Sequence, residues 1–404
     1  MPDRPFDHFR TAITDPVYFF GRSHFIRKII SNPFLVHILL GGRRIGKTSV
    51  LSAVERSCLN PDLHASRRAF PVFLSLDVEQ PESLNHFRYL LIRRLRDAIE
   101  RWEKVPKSTI REMYETFGRR VAIREVSLAS LIKINLQHQK NPDDDRLMGH
   151  DEFREALLNT ISELRDKGFE GVIFLLDEAE FVVRKDWANE AWSYFRGLKD
   201  NDTALKPFLG FILSGYRDVK EYEQRVGSPL MNIAEIEWLP TLSASDAQAL
   251  IAQRAEDEGM QLTPDDMALV LALAGHHPYL LQQVLNVIFD EYVAESASSH
   301  DRLLRKLLRM PELDRTFSSW WNLDGKTDGF GEIERTLYKL LAQHGEGSDD
   351  ALSELSGFNW PKTIDALGVL IGTGVIEQVD EEHYMIGTRL FQEWVANQEP
   401  IQDI

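Results

Sequence analysis

The chain has 404 residues, room for roughly two to four domains, and its 43% hydrophobic and 27% charged residues exclude a largely disordered protein. With 47 Lys/Arg against 63 Asp/Glu the formal charge is −16, which argues against nucleic-acid binding over the whole surface, because phosphate affinity is built from many cationic contacts. The single cysteine, Cys58, excludes an intramolecular disulfide and a cysteine-based zinc site, and the 12 histidines show no HExxH spacing. The N-terminal MPDRPFDHFR has no apolar signal core, and no apolar run approaches the roughly 18 residues of a membrane span, so the expectation is a soluble, cytoplasmic protein.

Four short, unbroken apolar runs punctuate the first half: Val36–Leu40, Ala69–Leu76, Gly171–Leu176 and Phe208–Leu213. Unbroken rather than alternating runs predict strands buried on both faces. Helical patterns separate them, such as Glu152–Asp166 with Phe153, Leu157, Ile161 and Leu164 on one face, and the alternation predicts a parallel α/β sheet. After Pro240 only helices are predicted: one from an N-cap at Leu242–Asp246 to about Glu256, one from Thr263-Pro264-Asp265-Asp266, one over Pro278–Val293, and one with the stripe Leu303, Leu304, Leu307 and Leu308 beside Arg302, Arg305, Lys306 and Arg309. A turn-rich segment, Asn322–Gly329, marks a boundary. Beyond it the pattern predicts a helix over Ile333–His344, a short one beginning at Ser353–Leu355, a longer one over Pro361–Thr373, and a hairpin of Gly374–Gln378 and His383–Ile386 turning at Asp380-Glu381-Glu382. Three helices and a hairpin is the order of a winged helix. The expected domains are a core over 1–240 carrying a basic helical insertion at about 85–140, a helical lid over 241–325, and a winged helix over 326–404.

Gly41-Gly42-Arg43-Arg44-Ile45-Gly46-Lys47-Thr48 matches G-x-x-x-x-G-K-[ST] at every fixed position, directly after a predicted strand and before the helical run Ser49–Arg56. Glycines let the backbone N–H groups wrap a phosphate at a helix N-terminus, Lys47 suits the β- and γ-phosphates, and Thr48 suits Mg²⁺. The run Val172–Leu176 ends in Asp177-Glu178, which supplies a metal-side carboxylate and a general base for water. Ser214-Gly215-Tyr216-Arg217 ends the fourth run, where Arg217 reads equally as a contact to the γ-phosphate or to a neighbouring subunit's nucleotide, or as a surface arginine. Val17-Tyr18-Phe19-Phe20-Gly21-Arg22 reads as a turn covering an adenine or as a buried aromatic plug. The pair in Gly275-His276-His277-Pro278 reads more readily as satisfied or exposed histidines than as a metal site.

Together these residues resemble the STAND class of P-loop ATPases, in the AAA+-related branch that includes archaeal-type ATPases and origin-recognition proteins, over nearly the whole chain. Phe20-Gly21-Arg22 resembles the h-G-R nucleotide element, Gly41–Thr48 with Ser49 and Leu175–Glu178 the two Walker motifs, and Ser214–Arg217 the arginine-bearing sensor. Gly227-Ser228-Pro229-Leu230 and Ile236–Leu239 resemble the approach to the lid, and His277–Gln282 the lid motif whose proline, here Pro278, packs on adenine. His276 stands where many relatives carry a second glycine, and neither a repeat sensor, an effector domain nor a Met-His-Asp triplet is present.

The resemblance implies binding of ATP/ADP with Mg²⁺, slow ATP hydrolysis, and a molecular switch whose nucleotide state controls assembly with a protein partner or further copies, in a bacterial antiviral or stress-response setting. The alternative is a nucleic-acid-loading ATPase resembling origin-recognition or transposition regulators. Charge placement separates the two: the last segment, from Lys326, carries 15 acidic against 5 basic residues, whereas Asn85–Lys140 carries 13 basic against 6 acidic. Nucleic acid, if bound, would be expected on Arg88, Arg93, Arg94, Arg96, Arg101, Arg119 and Arg120, although docking of that face on the chain's own acidic surface is the reading preferred.

Overall fold

The computed structural model describes residues 12–60, 67–104, 147–226, 230–293, 300–322 and 329–398. Arg119 and Arg120, the Gly227–Pro229 segment and most of the Asn322–Gly329 turn lie outside the described residues. Two compact units emerge, one of Ile13–Leu40 with Lys47–Glu237, the other of Gly41–Gly46 with Trp238–Ile404. The glycine-rich loop thus groups with the C-terminal half, although the strand before it and the helix after it belong to the first unit.

In the first unit, helix α1 (Ser23–Ser31) leads into strand β1 (Val36–Leu40), and α2 (Lys47–Leu59) follows the loop. Strand β2 (Ala69–Ser75) runs into the short α3 (Leu76–Glu79) and the long α4 (Leu84–Lys104). Then come α5 (His150–Asp166), β3 (Gly171–Asp177), α6 (Glu180–Val183), α7 (Ala188–Asp200), β4 (Leu209–Gly215), α8 (Arg217–Val226) and β5 (Ala234–Trp238), whose last residue, Trp238, groups with the second unit. The sheet order is β2-β3-β4-β1-β5, and β2/β3, β3/β4 and β4/β1 pair in parallel. Every residue of β1, β3 and β4 is buried, as the unbroken apolar runs require, because helices cover both faces of a parallel sheet. Strand β5 was not anticipated: Ala-Glu-Ile-Glu-Trp alternates, its residues are only partly buried, and Glu235 and Glu237 pair with Lys28 of α1, a charged finish suited to a sheet edge.

At the opposite end of the sheet from the strand C-termini, the Lys199 ammonium donates to the carbonyls of Phe34, Lys206 and Leu209, tying the entries of β1 and β4 together. Burial pulls its pKa down to about 8.

Helix α4 departs from the expected insertion. Leu84, Phe87, Leu91, Leu95 and Ile99 recur at helical spacing and are buried, and the helix packs on β2 and α5 as part of the core. Its arginines are committed inward: Arg93 and Arg94 both pair with the buried Glu79 carboxylate, and Arg88 donates to Asn85 and lies 4.0 Å over the Tyr194 ring. The pairing of Arg93 and Arg94 with Glu79 runs the way of the preferred reading, docking on the chain's own acidic groups, whereas Arg96 and Arg101 are exposed.

In the second unit, α9 (Ala244–Asp257) is capped by Ser243, and α10 (Pro264–Ala274) carries a complete capping box between Thr263 and Asp266. Helices α11 (Pro278–Val293), α12 (His300–Leu308) and α13 (Pro311–Trp321) follow. Helix α13 was not anticipated, although Leu313, Phe317, Trp320 and Trp321 make it a main contributor to an aromatic core around Phe391.

The last module is α14 (Glu332–His344), β6 (Glu346–Ser348), α15 (Asp349–Ser356), α16 (Trp360–Thr373), β7 (Ile376–Gln378), β8 (His383–Ile386) and α17 (Arg389–Gln398). Its antiparallel sheet is ordered β6-β8-β7. Helix α15 starts earlier than the sequence suggested: Ser348 accepts from the Ala351 N–H, so the helix opens at Asp349, and Ser353–Leu355 form its end.

Candidate active site

Parallel pairing puts the C-terminal ends of β1, β2, β3 and β4 along one edge, with Leu40 opposite Gly215, Leu176 opposite Leu213 and Ser75 opposite Asp177. The motif residues meet there because each directly follows or ends a strand.

Asp177, only 3% exposed, is the hub. Thr48 of the first turn of α2 donates its hydroxyl to Oδ2 at 2.6 Å, Ser214 donates to Oδ1, and the Glu178 N–H reaches Oδ1 at 3.2 Å. The sequence reading singled out Arg217 within Ser214–Arg217. Arg217 opens α8 and pairs with Glu221 one turn on, and Ser214 is the member that touches the Asp177 carboxylate. A polar residue ending an otherwise apolar strand was the available signal for Ser214.

Glu178 follows with φ of 58°, a left-handed conformation that few non-glycine residues adopt and that turns its side chain away from the strand direction. The Ser75 hydroxyl donates to its Oε2 at 3.0 Å. Its pKa is raised, first by loss of solvation and then by the neighbouring Asp177 charge, with Asp77 adding to the rise; the Ser75 bond and Lys47 oppose it. A carboxyl held this way has a pKa shifted toward neutrality, the direction a general base requires.

The strap before α1 is fixed to the helix that carries the lysine. The Ile13 N–H donates to Ser49 Oγ at 2.9 Å, Arg56 donates to the Thr14 carbonyl, and its guanidinium lies over Phe19. Ser49, expected at the cofactor, is therefore engaged with the strap. Gly21 and Arg22 take φ of 69° and 65° in succession, forming the tight turn that follows Phe20 and opens α1.

Gly41–Gly46 belongs to the second unit. Arg44 and Gly46 have φ of 71° and 106°, and a Cβ at Gly46 would meet nothing within 4 Å, so open space borders the loop just before Lys47. The residue types suit a phosphate: a positive-φ glycine followed in sequence by a lysine that opens a helix. They also fit a hard divalent cation, for which a hydroxyl and a carboxylate already in contact are suitable oxygen donors.

Within the same unit the Gly42 N–H donates to the Gly372 carbonyl at 2.7 Å, and Arg44 lies 5.1 Å from the Tyr279 ring centre. Pro278 opens α11 beside the fully buried His277, whose Nδ1 accepts the Tyr279 N–H. Gly275, at φ of 57°, makes the turn for which His276 replaces a glycine, and His276 pairs instead with Glu377.

No protein-family model matches the chain, and no curated protein matches it. Among solved structures it is similar to a Walker-type ATPase of Pyrococcus abyssi, at 15% identity over 97% of this chain and 99% of that one, with a TM-score of 0.53. It also matches, more loosely, the Aeropyrum pernix ORC2 protein in ADPNP–ADP complexes (13% identity, 98% and 97% coverage, TM-score 0.47) and the ORC1 protein of the same organism in complex with DNA (15%, 99% and 96%, 0.43). Among the described residues no helix is long and apolar enough to cross a membrane. The first likeness shows the fold, that of a Walker-type ATPase.

Proposed function

We propose that the chain binds and hydrolyses ATP, and that the nucleotide state acts as a switch of the STAND/AAA+ kind controlling assembly with a partner. The observation that carries this is the hydroxyl–carboxylate hub of Thr48, Asp177 and Ser214 with Glu178 beside it, at the sheet edge where the glycine-rich loop passes into α2. Mg²⁺, which Thr48 and Asp177 would hold, supplies positive charge to the phosphates. Lys47 neutralises the β- and γ-phosphate oxygens. Glu178 accepts a proton from water as the water oxygen bonds to the γ-phosphorus and the bond to the β–γ bridging oxygen breaks, leaving ADP and phosphate. Ser214 orients Asp177, and Ser75 orients Glu178.

Residues 241–325 and 326–404 are read as lid and winged helix, and Phe20, Gly21, Arg22 and Pro278 as the adenine side of the site, in a cytoplasmic protein of bacterial defence or stress signalling. The Gly42–Gly372 bond supports coupling of the phosphate loop to the C-terminal module. The nucleic-acid-loading alternative is weakened by the inward pairing of Arg93 and Arg94 and by the acidic C-terminal segment.

Nucleotide binding and ATP turnover of three proteins test the reading. Lys47→Ala should lose binding. Glu178→Gln should keep binding and lose about 100-fold or more in turnover, the span of a general base. Turnover by Glu178→Gln equal to wild type would remove Glu178 from the role of base.

A further inference from the structure

We propose that the turn joining α15 to α16 and the basic stripe of α12 are the two halves of one interface between copies of this chain. This interface is the assembly surface of the proposed switch and in that respect rests on that reading.

The first half is an apolar corner on a rigid support. Leu355 ends α15 and Trp360 opens α16, and they are 59% and 51% exposed. The turn between them is fixed by hydrogen bonds: Asn359 accepts from the Lys362 N–H, and Ser353 donates to the Phe358 carbonyl. The Trp360 indole N–H donates to Asp349 at 3.3 Å, which holds the ring beside a carboxylate, and Asp350 and Glu354 are exposed on the same short helix. A tryptophan and a leucine held on solvent by a pre-ordered turn have the composition of an interface anchor, and the surrounding carboxylates set the charge of whatever covers them. A phosphate backbone is repelled by them; a cationic protein face is attracted.

The second half is on α12. Leu303 and Leu307 are buried, and Arg302, Arg305 and Lys306 on the helix and Arg309 in the turn that ends it are exposed at spacings of three and four residues, Lys306 also pairing with Glu291 at 3.6 Å. Such a row presents guanidinium planes that can stack on an indole while pairing with carboxylates. Helix α12 packs on α11, α13 and α17, whereas α15 packs on α14, α16 and β6, so the two halves sit on different elements of one chain. A surface that carries both halves is satisfied by a second copy in head-to-tail contact, which closes into a ring or extends as a filament.

The test is the mass of the full-length protein across a concentration series, with ADP, with a slowly hydrolysed ATP analogue and without nucleotide. Wild type should self-associate in at least one state. Arg302→Glu/Arg305→Glu/Arg309→Glu, and separately Asp349→Arg/Asp350→Arg/Glu354→Arg, should each weaken association about tenfold or more, because every contact then juxtaposes like charges. An equimolar mixture of the two variants should regain association, since the acidic stripe of one meets the basic corner of the other and the basic stripe of the second meets the acidic corner of the first, and this regain also shows that both are folded. Trp360→Ala should weaken association without reversing its salt dependence.

Wild type that stays monomeric in every state, or a mixture that regains nothing, overturns the interface. So does an α12 variant that loses binding to a labelled DNA duplex while its mass behaviour matches wild type, which would make the stripe a nucleic-acid face. Charge-dependent association that ignores nucleotide upholds the interface and removes the nucleotide control. ATP turnover without association removes the interface and leaves the ATPase.

Discussion

The Gly42 N–H donates to the Gly372 carbonyl at 2.7 Å, joining the second residue of the glycine-rich loop to the last turn of α16. The approach is close enough that a Cβ on Gly42 would stand 3.0 Å from both Cα and Oγ1 of Thr373. Two turns' worth of α16 are shaped for contact: Gly368 and Gly372 lie on one helix face, and a Cβ on Gly368 would come within 2.7 Å of the Trp238 indole nitrogen. Gly374, with φ of 78°, ends the helix where a Cβ would meet Ile45 at 3.1 Å. The loop therefore meets the end of α16 by direct backbone contact at Gly42 and Gly372, with Thr373 and Ile45 packed around it.

Gly42→Ala should loosen that contact. Thr373 must shift, and part of what it meets is backbone, so the expected cost is about 1–3 kcal/mol. Amide hydrogen exchange at residues 370–376 should accelerate relative to wild type. Unchanged exchange there would mean that the loop and helix end are not holding each other.

The pH dependence of turnover should report Glu178. Its folded pKa is raised, so the catalytically competent carboxylate is lost at a higher pH than for an ordinary glutamate: turnover should fall as pH drops through that raised value. Ser75→Ala removes the hydrogen bond that favours the charged form, and the acid limb should move up. Asp77→Asn removes a nearby negative charge, and the limb should move down. Opposite displacements by the two variants identify the group; displacement in the same direction would point to another titrating residue.

Ser214→Ala should act through Asp177. The serine hydroxyl is fully buried, and Asp177 would keep Thr48 and the Glu178 N–H as partners. Loss of one donor to a buried carboxylate costs about 1–3 kcal/mol. The expected signature is a higher Mg²⁺ concentration for half-maximal turnover with a smaller change in nucleotide affinity without the metal. An unaltered Mg²⁺ dependence would show that Ser214 has no part in setting the carboxylate.

The buried strands and the capped helices were legible because their signals are local. Val36–Leu40 and Gly171–Asp177 are unbroken apolar runs, and Ser243 and Thr263 announce the helices that follow them. Strand β5 was obscured by its edge position, which allows Glu235 and Glu237 to face a lysine instead of a core. Composition does not show where the charge excess of residues 85–140 goes: Arg93 and Arg94 share one buried glutamate fourteen and fifteen residues upstream, and residues 105–140 lie outside the described ones. Ser214 was passed over for Arg217 because a serine carries no chemical signature until the parallel register sets it beside Asp177. Glu377 was invisible for the same reason: its role depends on a partner 101 residues away.

That partner is His276, and the pair should make the docking of the last hairpin pH-dependent. His276 Nδ1 lies 3.1 Å from Glu377 Oε2, its N–H donates to Oε1 at 3.3 Å, and Thr241 donates to the same oxygen. The Glu377 hydrogen bond raises the His276 pKa above its usual 6.5, with burial opposing. A histidine raised on folding contributes stability that is fully present below the unfolded value, near 6.5, and that is lost as pH climbs through the folded value. Protection of the Leu242 amide, which donates to the His276 carbonyl at 3.0 Å, should therefore be greater at mildly acidic than at mildly alkaline pH, after correction for intrinsic exchange. Asp380 also raises the pKa of His383, in the same hairpin. Asp380→Asn removes that contribution and should leave the Leu242 trend in place, whereas Glu377→Gln should flatten it. A trend that survives Glu377→Gln and vanishes in Asp380→Asn would move the pH response from the lid contact to the hairpin tip.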